Sequence, residues 1–376
     1  MSTDRQHMHA PMTGWLAQED LQRLFDALVE TGYRCVGPAV RDGAIQFVPL
    51  RAAAELPTGV HDQQAPGSYR LEQTGGSRRF GWANGPQALK PMTFAPSESL
   101  WRARRVDGQL RFEPVAPDPA PTAVIGVRAC DLAALRLQEA HFLDGLSPDP
   151  GFRARRDALL LIGVDCSHPA ETCFCADTGD GPALAYGFDI GLTELDDGYL
   201  VRSGSPRGAT VVNAMALVAV SDDQRDAAAR QNAAAVQAQI RRLPGGDLRA
   251  RLFERLDHRH WDAVAERCLS CGNCTAVCPT CFCSTNAADP DLDGTATDLV
   301  RTWDSCFSHG HTAMHGRPVR EETCQRYRQW LTHKLAGWFD QYGRSGCVGC
   351  GRCITWCPVG IDLTAEAALI AAGDGR

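Results

Sequence analysis

The 376-residue chain is 44% hydrophobic and 22% charged, which suffices for one large domain with a smaller one or for two ordinary domains. Its net charge of −7 argues against a general nucleic-acid binder, and the absence of any run of about 18 apolar residues argues against a membrane span. The first fifteen residues have no basic patch followed by an apolar core, so we expect no signal peptide and a cytoplasmic location.

The N-terminal region reads as a mixture of helix and strand. "QEDLQRLFDALVETGY" has the apolar spacing of an amphipathic helix, and "RCVGPAVRDGAIQFVPL" predicts two short strands joined by a turn at Asp42 and Gly43. Residues 61–121 are rich in proline, glycine and charge, so we expect loops and short strands there.

From residue 122 the pattern predicts a parallel βαβ unit. "TAVIGVRAC" is a buried strand that ends near Cys130, and "DLAALRLQEAHFL" is a helix for which Asp131 is the expected N-cap. "DALLLIGVDC" is a second buried strand that ends at Cys166, and continuous apolar strands of this kind are typical of parallel sheets. Further strands are expected at 199–204 and 208–214.

An alanine-rich helix over 222–242 stops at "PGG", which is the expected domain boundary. We therefore predict two domains, residues 1–245 and 246–376. The fold class is α/β (α+β) for the first, with helices and turns and no clear strand in the second. A new helix is expected to begin at "DLRARLFERLDHRHWDAVAERC".

Seventeen cysteines dominate the interpretation of function. An odd number without an export signal argues against a closed disulfide framework, and two of the spacings indicate metal. "CLSCGNCTAVCP" and "CVGCGRCITWCP" both have the C-x2-C-x2-C-x3-C-P spacing of bacterial ferredoxins, which bind [4Fe–4S] clusters. Structural zinc is the alternative for paired C-x2-C steps, but the doubled register excludes it.

In two-cluster ferredoxins the fourth cysteine of each run binds the other cluster. The first cluster is accordingly assigned to Cys268, Cys271, Cys274 and Cys357. The second cluster is assigned to Cys347, Cys350, Cys353 and Cys278. The long connection between the runs resembles that of an α-helical ferredoxin, in which helices pack around both clusters.

A third cluster is predicted in the N-terminal domain. Cys130 and Cys166 each follow a predicted parallel strand, at the edge of the sheet where α/β proteins bind ligands. Cys173 and Cys175 follow on the next loop, within "TCFC", so four thiols converge. The alternative is a set of buried structural thiols.

A second "TCFC" overlaps the first ferredoxin run. Its Cys281 and Cys283, with Cys306, are surplus to two clusters; they shield or tune a cluster, serve as alternative ligands, or form an extra cluster with Cys324. The histidines within 257–261 and 308–315 are expected to be surface groups or groups that support the clusters from outside, with metal ligation as the alternative.

No catalytic residue is predicted. The chain has no G-x-G-x-x-G fingerprint after a strand, no Walker A run and no pairing of nucleophile with base, so the pattern favours an electron carrier. Two alternatives remain open: a subunit whose N-terminal crevice binds flavin or a small substrate, and a non-redox scaffold that contains zinc.

Segments along nearly the whole chain resemble one family. They are "GYRCVGPAVRDGAI", "LWRARR", "GVRACDLAAL", "DCSHPAETCFC", "CLSCGNCTAVCPTCFC", "RTWDSCF" and "CVGCGRCITWCPVGID". Together they are similar to the iron–sulfur β subunit of soluble bidirectional [NiFe] hydrogenases of the sulfhydrogenase type, a family that includes the A subunit of anaerobic sulfite reductase.

The resemblance implies an electron relay within a multi-subunit oxidoreductase. Such a subunit exchanges electrons with a flavin subunit that reacts with NAD(P)H, and with a hydrogenase small subunit followed by the catalytic large subunit. The cluster ligands of the family correspond to the cysteines assigned above. The anaerobic sulfite reductase context is the alternative.

Overall fold

A seven-stranded mixed sheet forms the centre of the N-terminal part in the computed structural model, which describes residues 13–372. In spatial order its strands are β1 (Thr13–Ala17), β11 (Gly198–Ser203), β10 (Ile190–Glu194), β9 (Leu159–Val164), β8 (Thr122–Val127), β2 (Arg34–Arg41) and β3 (Ala44–Leu50). The four central strands are parallel, and the outer pairs are antiparallel. Parallel central strands require cover on both faces.

Alternate side chains of the central strands enter two separate cores. On β9, Leu160 and Ile162 pack with α1 (Gln22–Glu30) and α5 (Pro206–Ala214), whereas Leu159 and Leu161 pack with α3 (Ala129–Leu143) and α4 (Pro150–Asp157). Because neighbouring strand residues point to opposite faces, a run of apolar residues is needed to fill both cores. The predicted βαβ unit is confirmed: β8 and β9 are parallel neighbours connected through α3 and α4.

Two local predictions in this part were wrong. Residues 208–214 were expected to form a strand because of their β-branched side chains, but they belong to α5, which Ser205 caps by accepting a hydrogen bond from the Gly208 amide. Asp131 is not the N-cap of α3, since that position is Arg128. The Asp131 carboxylate is instead paired with a buried arginine from the second ferredoxin run.

A four-stranded sheet crosses the expected domain boundary. Its order is β12 (Ser284–Pro290), β13 (Ala296–Trp303), β6 (Ser97–Val106) and β7 (Gln109–Pro114), all antiparallel. The expectation that no strand follows residue 245 was therefore wrong. In the β12–β13 hairpin, β12 is polar and largely exposed and β13 is half-buried, and the long-range pairing of β13 with β6 is not visible in local sequence periodicity. A separate hairpin joins β4 (Val60–Ala65) to β5 (Ser68–Gln73).

The remaining elements are helical. They are α2 (Lys90–Thr93), α6 (Asp222–Gln237), α7 (Leu248–Glu254), α8 (His260–Ala265), α9 (Asn273–Ala276), α10 (Thr323–Thr332), a π-helical turn (His333–Gly337), α11 (Trp338–Tyr342), α12 (Arg352–Thr355) and α13 (Leu363–Ala372). Those after α6 pack around a core that contains Tyr327, Trp330, Leu331 and Ile370. The expected helix after residue 246 is split into α7 and α8. The division of the chain at residue 245 stays a prediction.

Within residues 13–372, none of the helices has the length and apolar character needed to cross a membrane. The segment in which no signal peptide was expected lies mostly outside the described residues.

Candidate metal centres

The first group of predicted ligands surrounds a cavity. Its lining includes all four cysteines assigned to the first cluster: Cys268, Cys271, Cys274 and Cys357. Aromatic side chains of Phe307, Tyr327 and Trp330 form much of the remaining wall. Four thiols around an apolar cavity are the donor set of a cubane. Cys357 comes from the second run and the other three from the first, as in a two-cluster ferredoxin.

The thiols of this group affect one another electrostatically. Burial raises the pKa of Cys274, and the nearby charges of Cys268, Cys271 and Cys357 raise it further. Cys271 is exposed, together with Leu269. One edge of this group therefore reaches the protein surface.

The second group of predicted ligands consists of Cys347, Cys350, Cys353 and Cys278 and lies deeper in the protein than the first. Burial raises the pKa of Cys353 well above its usual value, and the charges of Cys347, Cys278 and Cys350 add to the effect. Burial likewise raises the pKa of Cys347 to about 12. Thiols that resist ionisation when metal-free become thiolates when they bind a metal ion, which compensates the charge.

The loop that carries the first "TCFC" is interlocked with the second ferredoxin run. The Phe174 amide donates to the Gly349 carbonyl at 2.8 Å, and the Thr172 and Thr355 hydroxyls are 2.8 Å apart. Gly349 has φ +63°, and a Cβ atom there would lie 2.5 Å from the Phe174 carbonyl and the Cys175 amide nitrogen. Only glycine allows this backbone conformation and this approach together.

The third group is fully enclosed. It consists of Cys130, Cys166, Cys173 and Cys175, and each of these residues is at most 8% exposed. Cys130 lies in the first turn of α3, and Cys166 lies two residues beyond β9. Burial raises the pKa of Cys173 well above its usual value, and Cys175 and Cys166 contribute further. The Gln239 amide donates to the Cys175 sulfur at 3.4 Å, a contact of the kind that stabilises a thiolate.

Two links connect the three groups in a row. The charges of Cys175 and Cys350 both raise the pKa of Cys130, after the larger effects of burial and Asp131, so Cys130 neighbours the second group. Cys274 contributes in the same way to the pKa of Cys353, so the first and second groups are also neighbours. The order is therefore third group, second group, first group. The assignment of individual ligands stays a prediction.

Buried cations accompany these thiols. The chain has only two lysines, Lys90 and Lys334, and each is 4% exposed. The Lys90 ammonium donates to the Thr275 and Ala276 carbonyls at 3.1 and 3.3 Å and lies over the Trp303 ring. Burial lowers its pKa.

Lys334 lies on the other side of the first run. Its ammonium donates to the Thr280 hydroxyl at 2.8 Å, and that hydroxyl is 3.2 Å from the Cys278 sulfur. Although burial opposes the charge, Cys278, Cys281 and Cys347 raise the pKa of Lys334. The hydrogen bond with Cys281 and the Lys334 charge in turn lower the pKa of Cys278.

A buried ion pair joins the second run to α3. Arg352 donates to the two carboxylate oxygens of Asp131 at 2.8 and 3.3 Å, and both side chains are almost completely buried. The pair lies beside Cys130 and Cys350, whose charges help to raise the pKa of Arg352 against the effect of burial. The ion pair therefore lies between the second and third groups, and its two charges largely cancel.

The surplus cysteines do not all come together. Cys283 and Cys306 lie close to His311, whereas the Cys324 thiol neighbours the carboxylate of Asp262. The sequence did not lead us to group His311 with these two cysteines; the C-x4-H spacing from Cys306 to His311 was the feature that could have done so. The burial of both lysines beside the first ferredoxin run was also not predicted. The presence of only two lysines in the whole sequence was the feature that could have drawn attention to them.

Comparisons with known proteins agree with the cysteine pattern. Two models of 4Fe-4S dicluster domains match residues 267–361 and 222–282. The Sulfhydrogenase 2 subunit beta of Pyrococcus furiosus is 30% identical over 308 residues, which cover 78% of this chain and 86% of that protein. No solved structure matches the chain. The chain belongs to the family of iron–sulfur β subunits of sulfhydrogenases.

Proposed function

We propose that the chain is an electron relay with three [4Fe–4S] clusters. The first is bound by Cys268, Cys271, Cys274 and Cys357, the second by Cys347, Cys350, Cys353 and Cys278, and the third by Cys130, Cys166, Cys173 and Cys175. Such clusters supply one-electron transfer at potentials that the surrounding protein tunes. We assign the first two clusters to a ferredoxin-like domain at 246–376, which is mostly helical apart from the β12–β13 hairpin, and the third to the α/β domain at 1–245.

The observation that carries this proposal is the row of three neighbouring thiol groups. Cys130 and Cys175 pack with Cys350 in one cluster of buried side chains, and Cys353 lines the same cavity as Cys274, so no group is isolated from the next. Structural thiols scattered through a core have no reason to form three groups of four. The dicluster models cover both ferredoxin runs, which supports the first two clusters independently.

The protein contributes enclosure and charge. Phe307, Tyr327 and Trp330 exclude water around the first group, and the buried Lys334 ammonium offsets negative charge at the second. Nearby cations favour the reduced state of an anionic cluster and raise its potential, whereas exclusion of water disfavours the added negative charge and lowers it.

We propose that a partner exchanges electrons at the exposed edge of the first group. Cys271 is exposed there, and Leu269 and Val359 present apolar surface beside it. In the complete assembly the partners are a flavin subunit that reacts with NAD(P)H and the small and large subunits of a [NiFe] hydrogenase. The Pyrococcus relative is named as the beta subunit of a sulfhydrogenase, which supports a place in a hydrogenase complex, and the individual partners are those that the family resemblance implies.

Iron and acid-labile sulfide per chain test the number of clusters. After anaerobic reconstitution we expect about twelve irons in the wild type and about eight in the Cys173→Ser/Cys175→Ser variant, since each cubane contains four. Cys35→Ser is the matched control because Cys35 is a buried core thiol outside all three groups. Eight irons in both proteins would limit the relay to the two ferredoxin clusters.

Activity measurements test the relay itself. The isolated, reconstituted chain should neither oxidise hydrogen nor reduce NAD(P)+, and addition of the flavin and hydrogenase subunits should restore both reactions. Turnover by the isolated chain, or a stoichiometric flavin bound to it, would contradict the proposal.

A further inference from the structure

The two ends of the β12–β13 hairpin bring Cys283 and Cys306 together. The hairpin begins with the pairing of Ser284 and Trp303, and the Asp304 amide donates to the Cys283 carbonyl at 2.9 Å. One cysteine precedes the first strand and the other follows the second, so both thiols lie at its base. Their sulfur atoms are 3.7 Å apart.

A histidine completes this cluster of side chains. A ring nitrogen of His311 and the two sulfurs all lie within 4.8 Å of one another. The His311 Nδ1 atom is 2.7 Å from Asp304 Oδ2, and Asp304 Oδ1 accepts a hydrogen bond from the Ser305 amide at 2.7 Å. Donation from Nδ1 to the carboxylate leaves the lone pair on Nε2. A carboxylate that holds histidine in this way is the usual support of a metal ligand.

We propose that Cys283, Cys306 and His311 bind a single Zn²⁺ ion, with water in the fourth position. Two thiolates on one tetrahedral zinc, each about 2.3 Å from the ion, lie about 3.8 Å apart. The observed sulfur separation matches that value. Thiolates that bind different irons of a cubane are held farther apart, so the geometry favours one ion over a fourth cluster.

The neighbouring cysteines are engaged elsewhere. Cys281 hydrogen-bonds to Cys278 of the second group, and Cys324 lies beside Asp262. The zinc site shares no ligand with the proposed clusters, although Cys306 packs in the same core as Cys274 of the first group, so the site does not depend on their assignment. Its ligands fix the base of the hairpin that pairs with β6, so the ion joins the ferredoxin region to the second sheet.

Metal analysis and zinc K-edge absorption of the full chain test the site. We expect one zinc per chain in the reconstituted wild type, with two sulfur and two nitrogen or oxygen neighbours, and this measurement needs no variant. Cys283→Ser and Cys306→Ser should each lose that zinc and keep the wild-type iron content. Cys324→Ser is the matched control and should retain both metals.

Three results would overturn the proposal. They are wild-type protein without zinc, zinc that persists in both serine variants, and a loss of about four irons in either variant, which would make these residues cluster ligands. Asp304→Asn tests the supporting carboxylate as a positioning residue. It should keep the same zinc neighbours while its zinc affinity, measured by chelator competition, falls by about 10–100-fold. An unchanged affinity would remove Asp304 from the site.

Discussion

Replacement of Lys334 by methionine should lower the reduction potential of the second cluster. Methionine keeps the length and apolar stem of lysine and removes the charge. The Gly346 carbonyl, one acceptor of the ammonium, keeps its 2.7 Å hydrogen bond from the Thr280 hydroxyl. The substitution therefore changes the charge beside the cluster more than it changes the packing.

The size of the effect follows from the contacts of the ammonium. It lies 2.8 Å from the Thr280 hydroxyl, which is 3.2 Å from the Cys278 sulfur, so ammonium and sulfur are at most about 6 Å apart. At that distance and an effective dielectric constant near 20, one unit charge contributes about 2.8 kcal/mol. The added electron spreads over irons that lie farther from the ammonium than the sulfur does. We therefore take half of that energy, about 1.4 kcal/mol, as the lower end of the range. For one electron, the range corresponds to about 60–120 mV.

A dithionite titration of the reconstituted chain, followed by EPR, measures this shift. One of the reduction steps should move to a lower potential by the calculated amount, while the others move less. Arg249→Gln is the control, because it also removes one positive charge, from an exposed ion pair that solvent screens. An unchanged or higher potential in Lys334→Met would refute the electrostatic reasoning.

Two further substitutions test how the groups are held together. Gly349→Ala should lower the Tm and the iron content because the new Cβ atom would collide with the backbone of the first "TCFC". Gly294→Ala is the control: its φ is a similar +64° but no atom lies within 4 Å of the new Cβ, so it should cost only about 1 kcal/mol of backbone strain. Arg352→Met should destabilise the chain by about 3–5 kcal/mol because it leaves Asp131 buried without a partner, as measured by calorimetry. The double variant Arg352→Met/Asp131→Leu should recover most of the lost free energy of unfolding. A double variant as unstable as the single variant Arg352→Met would contradict the argument.

The sequence predicted those features that depend on local periodicity. Apolar runs at β8 and β9 indicate buried parallel strands because each strand faces two cores. The two ferredoxin spacings predict cubane ligands because the number of residues between cysteines determines which irons they could reach, and the dicluster models match both runs. These predictions needed no knowledge of distant contacts.

Features that depend on distant contacts were missed. The β12–β13 hairpin is polar, and it is held by pairing with β6, which lies almost 200 residues earlier. α5 contains β-branched residues that favour a strand, but its capping serine and the core beneath it select a helix. His311 meets Cys283 only because the hairpin folds back on itself.

The burial of both lysines gives the folded chain an unusual chemical surface. Reagents that acylate ε-amines meet neither Lys90 nor Lys334 in the native state, since each is 4% exposed. Acylation of either lysine therefore requires local opening around the first ferredoxin run. During partial unfolding, mass spectrometry would show which of the two lysines is acylated first and so which side of that run opens first. Surface arginines do not react with these reagents and would not interfere with the measurement.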